Sequence, residues 1–137
     1  MPASQEEIAY LPATELLRLY QEADVFVLPT GADCFSIASI EAMATGLPVV
    51  TTRVGGIEDI VENERTGYLV PAGDGAALGA ALDRLVDDPA RRVEMGRRSR
   101  ARAVAGFDAR RSAERLIELA QTVLGARPLW APRPVAA

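Results

Sequence analysis

Thr30-Gly-Ala-Asp-Cys-Phe-Ser-Ile-Ala-Ser-Ile-Glu-Ala-Met-Ala-Thr-Gly-Leu-Pro-Val-Val50 contains a strand end, a loop, a helix and the start of a second strand in one short span. The apolar run Val25 to Thr30 leads into it, and Pro48 to Thr52 leads out. Both runs are too short for a helix and are rich in β-branched residues, which predicts buried strands. Between them Phe35 to Ala44 reads as a helix that Gly46 stops. A third run, Gly67-Tyr-Leu-Val-Pro71, has the same character.

Helical patterns alternate with these strands. Thr14 is a candidate cap for a helix through Tyr20, and Ile57 to Glu62 is a short turn or helix. Asp74 is placed to cap Ala76 to Val86, with Leu78, Leu82 and Leu85 on one face. Asp88 followed by Pro89 starts a helix to about Val104, since proline fits the first helical position. Asp108 opens a final helix through about Leu124. This alternation implies parallel strands joined by right-handed crossovers, hence an α/β layer fold, of which three strands are visible. Residues 1–124 then form one partial domain, and the Pro- and Ala-rich stretch 125–137 is expected to be a mobile tail.

Composition excludes several chemistries. The 137 residues contain no histidine and no lysine, and Cys34 is the one cysteine. Ser-His-Asp triads, histidine metal sites, Schiff-base lysines and P-loop lysines are therefore absent from this chain. Up to Ala90 there are 4 arginines against 15 carboxylates, whereas Arg91 to Arg115 holds 9 arginines against 3. The basic stretch lacks interleaved aromatics and the chain is net acidic, so nucleic acid is not expected as a partner. No apolar run is long enough to cross a bilayer and Met1 to Glu7 lacks a signal core, which predicts a cytoplasmic protein.

In an open parallel sheet ligands sit beyond the carboxyl ends of the strands, so the segments after Thr30, Thr52 and Pro71 are the ones to inspect. A helix opening near Phe35 or Ser36 presents unpaired N–H groups and a partial positive charge, which suits a phosphate. Asp33 flanks that spot, and Glu41 lies farther along the helix as a double acceptor for a vicinal diol such as a ribose. Blander readings exist for each. Asp33 could be a loop or capping acid, Glu41 an exposed helix residue, and Gly55-Gly56 a tight turn. Arg53 could meet phosphate or solvent. Asp87-Asp88 reads as a helix boundary rather than a metal pair, and nothing marks Cys34 as a nucleophile.

Asp33 and Glu41, with seven residues between them, and the Gly46-Leu-Pro-Val-Val50 that follows resemble the acidic-x7-Glu signature of retaining GT-B glycosyltransferases, especially family 4. The resemblance extends to Leu19-Tyr-Gln-Glu-Ala-Asp-Val-Phe-Val-Leu-Pro29, Val54-Gly-Gly-Ile-Glu-Asp-Ile-Val61, Thr66-Gly-Tyr-Leu-Val-Pro-Ala-Gly-Asp74, Asp87-Asp-Pro89 and Met95-Gly96. It implies that Asp33 and Glu41 form the catalytic pair, the first holding hydroxyls of the donor sugar and the second the ribose. The amides of Phe35, Ser36 and Ile37 would face sugar and diphosphate, with Thr30, Gly31, Cys34, Arg53 and Gly55 completing the donor site. Two departures stand out: the first acid is usually Glu, and the residue after the Phe is usually Gly, where this chain has Asp33 and Ser36. The family uses a nucleoside-diphosphate sugar as donor, retains configuration and generally needs no metal or other cofactor.

The three strands resemble the second half of that family's six-stranded C-terminal sheet, which implies a three-layer, Rossmann-like parallel sheet that is partial here. The first half would supply an Arg and Lys for the diphosphate, and a separate N-terminal domain would hold the acceptor. The lysine-free chain is therefore expected to be incomplete and inactive alone. Its expected partners are a nucleotide sugar and either the missing acceptor domain or a second copy paired through the strand edge 25–28. Peripheral membrane contact of the full enzyme is a further expectation. The competing readings are a non-catalytic module that binds a nucleotide or nucleotide sugar, or a partner-binding remnant, and a phospho-receiver-like domain, the latter lacking its lysine.

Overall fold

In this computed structural model the described residues are 11–124; the expectations for Met1–Tyr10 and for the tail 125–137 lie outside them. The elements run α1 (Ala13–Glu22), β1 (Phe26–Leu28), α2 (Ile37–Thr45), β2 (Val49–Thr52), α3 (Ile57–Ile60), β3 (Gly67–Val70), α4 (Gly75–Asp87), α5 (Pro89–Gly106) and α6 (Ala109–Leu124). The sheet has the order β1-β2-β3 and is parallel throughout, with Phe26 beside Val49 and Val49 beside Gly67. Every residue of β2 and β3 is buried, as parallel strands covered on both faces should be.

Alternate residues of β2 feed two cores. Val49 joins Ala42, Met43, Ile57, Ile60 and Ala103 on one face, with Tyr20, Phe26 and Phe107 packed against that group. Val50 joins Tyr68, Val70, Ala81, Leu85 and Met95 on the other. Helices thus cover both faces, giving the three layers expected. Each fully buried aliphatic side chain contributes about 1.5–3 kcal/mol relative to exposure, so these two clusters are the main source of stability. Within α4, Ala81 and Leu85 form the buried contact while Leu78 and Leu82 are half-buried beside it.

The polar ends of the helices follow the sequence closely, with two exceptions. Asp74 accepts from the Ala77 N–H at 2.9 Å and Asp88 from the Arg91 N–H at 2.9 Å, and Asp108 takes the Arg110 N–H at 2.8 Å. Thr14, however, is not a cap: α1 starts at Ala13 behind Pro12, whose carbonyl accepts from both Glu15 and Leu16 at 3.0 Å. Nor does α2 start at Phe35. The Asp33 carboxylate accepts from the Phe35 N–H at 3.0 Å, and this local turn competes with helix, deferring the first helical residue to Ile37. Gly46 ends α2 in the left-handed conformation.

Candidate donor-binding site

The three strand ends are tied together beside the loop that carries Asp33. Thr51 donates through its hydroxyl to the Leu28 carbonyl at 2.8 Å, Thr52 donates to the Thr30 carbonyl, and the Arg53 N–H donates to the Val70 carbonyl at 2.8 Å. The Thr30 hydroxyl in turn donates to the Ala32 carbonyl at 2.9 Å, closing a small turn that contains Gly31. These contacts fix where the chain leaves β1 and enters the loop.

A second loop buttresses the first. Gly56 donates its N–H to the Cys34 carbonyl at 3.2 Å, and Gly55 adopts a positive φ of 51°. A Cβ on Gly55 would overlap the Asp33 carbonyl oxygen, and one on Gly56 would press on the Cys34 carbonyl. The glycine pair is thus more than a turn. It lets one loop backbone touch the other and holds Asp33 and Cys34 in place. The Cys34 thiol is exposed and free, so its backbone is what the fold uses.

Ser36 and Ser39 finish the helix start. Ser36 is buried, accepts from the Ser39 N–H at 3.2 Å and takes the Ser39 hydroxyl proton at 2.8 Å. Its side chain is committed to this cap and does not crowd the outer face of the helix start. Among the described residues the N–H groups of Ile37 and Ala38 have no partner within the fold. With the helix dipole, these free donors favour an anion at this end. Phe35 and Ile37 flank the spot, 50 % and 66 % exposed, and the Phe35 ring meets Phe107 edge-on at 6.0 Å between centroids.

Glu41 stands apart from that cluster. It lies a turn farther along α2, on a groove of about 420 Å³ between α1 and α2 that Leu16, Leu17, Tyr20 and Arg100 also line. There the Tyr20 hydroxyl donates to Glu41 Oε2 at 3.4 Å. Burial, and then the neighbouring Glu41 carboxylate, push the Tyr20 phenol above its ordinary range. Arg53 is exposed and paired with Glu58 on α3 at 2.6 Å. An anion reaching it would compete with that carboxylate.

The structure therefore brings together Thr30, Gly31, Asp33, Cys34, Phe35, Ser36, Ile37 and Gly55, while Glu41 lies a turn farther along α2 in the α1–α2 groove and Arg53 is paired with Glu58. Sequence reasoning missed Tyr20 and Phe107, and it left the role of Gly56 at a turn. A wider cleft of about 800 Å³ opens elsewhere, lined by Arg65, Arg97, Arg98 and Arg102 with Glu62 and Glu94. Its arginines are already engaged. Hydrogen bonds from Arg97 and then Arg98 hold the Glu94 carboxyl down to about 2, and Arg102 binds Glu62 and the carbonyls of Ile60 and Asp59. Among the described residues no cluster of three or more metal-ligating side chains occurs, and no helix is long and apolar enough to cross a membrane.

Comparison with known proteins gives the same picture. The chain is 44% identical over 91 residues to D-inositol 3-phosphate glycosyltransferase of Pseudarthrobacter chlorophenolicus, covering 66% of this chain and 22% of that protein. It is 39% identical over 101 residues to glycogen synthase of Mycobacterium tuberculosis, covering 74% and 24%. The fold superposes on sucrose-phosphate synthase from Thermosynechococcus elongatus with a TM-score of 0.82 at 34% identity, over 88% of this chain and 30% of that one. Anabaena HepE in complex with UDP shares the fold at 24% identity and a TM-score of 0.74, over 77% and 29%. The chain thus spans about a quarter of the length of the relatives it matches. Residues 3–102 match the family described as glycosyl transferases group 1, and the chain belongs to that family.

Proposed function

We propose that this chain forms the donor-binding part of a retaining, family-4 glycosyltransferase that moves a sugar from a nucleoside-diphosphate sugar to an acceptor. The observation that carries the reading is the open N-terminal end of α2 beside Asp33, with Glu41 one turn on, in a chain of this family. Asp33 binds hydroxyls of the donor sugar. The amides at Phe35 to Ile37 meet sugar and diphosphate, and Glu41 holds the ribose. As the glycosidic bond breaks, negative charge grows on the leaving diphosphate, and preorganised N–H dipoles at a helix start stabilise it without reorganising. The two acids bind hydroxyls rather than serving as a glycosidase-like nucleophile and acid.

Asp33 in place of the family's usual Glu is one methylene shorter, so it selects a sugar whose hydroxyl lies closer to the loop. The lysine-free chain needs the cationic residues and acceptor site of further protein to turn over, and it works in the cytoplasm without a metal. In the complete enzyme Glu41→Gln is expected to weaken the donor interaction by about 1.5–3 kcal/mol, the range for a charge-assisted hydrogen bond. Asp33→Asn is expected to act mainly on the choice among donor sugars. Donor kinetics unchanged in both variants, with the fold intact, would overturn the reading.

A further inference from the structure

We propose that Tyr20 is a positioning residue for Glu41, fixing the carboxylate on the α1 side of α2 in the orientation that receives a vicinal diol; this rests on the ribose role assigned to Glu41. The contact joins two elements that are far apart in sequence. Tyr20 lies on α1, Glu41 on α2, and β1 runs between them. The Tyr20 ring packs edge-on against Phe26 of β1 at 5.9 Å and sits half-buried against the core cluster. Its hydroxyl thus reaches Glu41 from α1, with the ring braced on β1, rather than from the helix that carries Glu41. Among the described residues Tyr20 is the side chain that donates to the Glu41 carboxylate.

The chemistry of the pair suits a diol better than an ion pair would. An ionised carboxylate has about four acceptor positions, and one phenol occupies one of them. Arginine would fill two and cancel the charge that strengthens hydrogen bonds from sugar hydroxyls. Arg100 lines the same groove, but its guanidinium donates to the Ala44 carbonyl at the end of α2. The phenol keeps its proton well above neutral pH, because burial and the Glu41 charge both favour the neutral form. At 3.4 Å the contact is longer than an ordinary O–H···O bond, and the proposed role requires it to shorten when the diol binds.

The test measures binding of UDP and of 2′,3′-dideoxyuridine diphosphate, which lacks the diol, to the wild-type chain, Tyr20→Phe, Glu41→Gln and the double variant. Tyr20→Phe keeps the ring and its packing, and its melting temperature is measured alongside. The expected result is a UDP affinity about three- to tenfold lower in Tyr20→Phe, the size of one net hydrogen bond. The dideoxy probe should bind as to wild type, and Tyr20→Phe should have no further effect once Glu41 is Gln. Equal weakening of both probes, an additive loss in the double variant, or unchanged UDP affinity would overturn the positioning role alone, provided Glu41→Gln is selective for UDP. If Glu41→Gln does not separate the two probes, or wild type binds neither, the ribose role falls and this inference falls with it.

Discussion

At the β3 edge of the sheet the Asn63 side chain accepts from the Leu69 N–H at 2.9 Å, the Glu64 N–H donates to the Gly67 carbonyl at 2.7 Å, and Ser99 of α5 donates to the Thr66 carbonyl at 3.1 Å. At the other edge, β1 is three residues long, Val27 is 37 % exposed, and α1 above it buries no residue. Both edges belong to the same parallel sheet, yet one is closed by its own loop and helix while the other has no outer partner among the described residues. The closed edge draws its cover from the loop just before β3 and from α5. Unpaired edges are templates for added strands, so the contrast has consequences for both stability and association.

The largest expected effect lies on the closed side. Leu85→Ala removes a fully buried side chain beside β3 and should cost about 2–5 kcal/mol, whereas Leu17→Ala on α1 should change stability by less than about 0.5 kcal/mol. Urea unfolding of the two variants measures the difference, and equal losses would erase the contrast. Next comes Gly67→Ala, whose added Cβ would overlap the Val49 carbonyl oxygen on β2. A cost of about 1–3 kcal/mol is expected as the two strands are forced apart, read from the same denaturation curves. Wild-type stability in that variant would show that the β2–β3 contact is slack.

The smallest thermodynamic effect concerns the open edge. Val27→Lys should alter unfolding by less than about 0.5 kcal/mol, since the side chain is already partly in water. It should nevertheless suppress self-association, because an edge charge opposes strand addition. Light scattering after size-exclusion chromatography at several concentrations is expected to show association of the wild type and a monomer for the variant. A wild type that stays monomeric throughout would indicate that the β1 edge is covered by the chain itself.

Much of this architecture was legible in the sequence because it depends on local physics. The short apolar runs around Val27, Val50 and Leu69 became strands, and Asp74, Asp88 and Asp108 act at helix starts as their spacing implied. Thr14 failed as a cap because the helix starts two residues earlier than that cap requires, with Pro12 in the capping position. The start of α2 shifted because Asp33 hydrogen-bonds its own loop. The local geometry of the candidate site was readable where its residues are contiguous, from Thr30 to Ile37. They were hidden where the fold supplies the neighbour: Gly55 and Gly56 against the Asp33-Cys34 backbone, Phe107 against Phe35, and Tyr20 against Glu41. No periodicity or spacing in one chain announces such through-space pairs.

In the proposed function a nucleotide's phosphates would meet the start of α2 and its ribose Glu41, not the arginine-lined cleft on α5. Amide NMR of the isotopically labelled chain, titrated with UDP, tests this most directly. The expected shifts concentrate at Asp33 to Ser39, at Gly55-Gly56 and at Glu41, while Arg97 to Arg102 stay unmoved. Shifts confined to Arg97–Arg102 and Glu62, or no shifts at any residue, would contradict it.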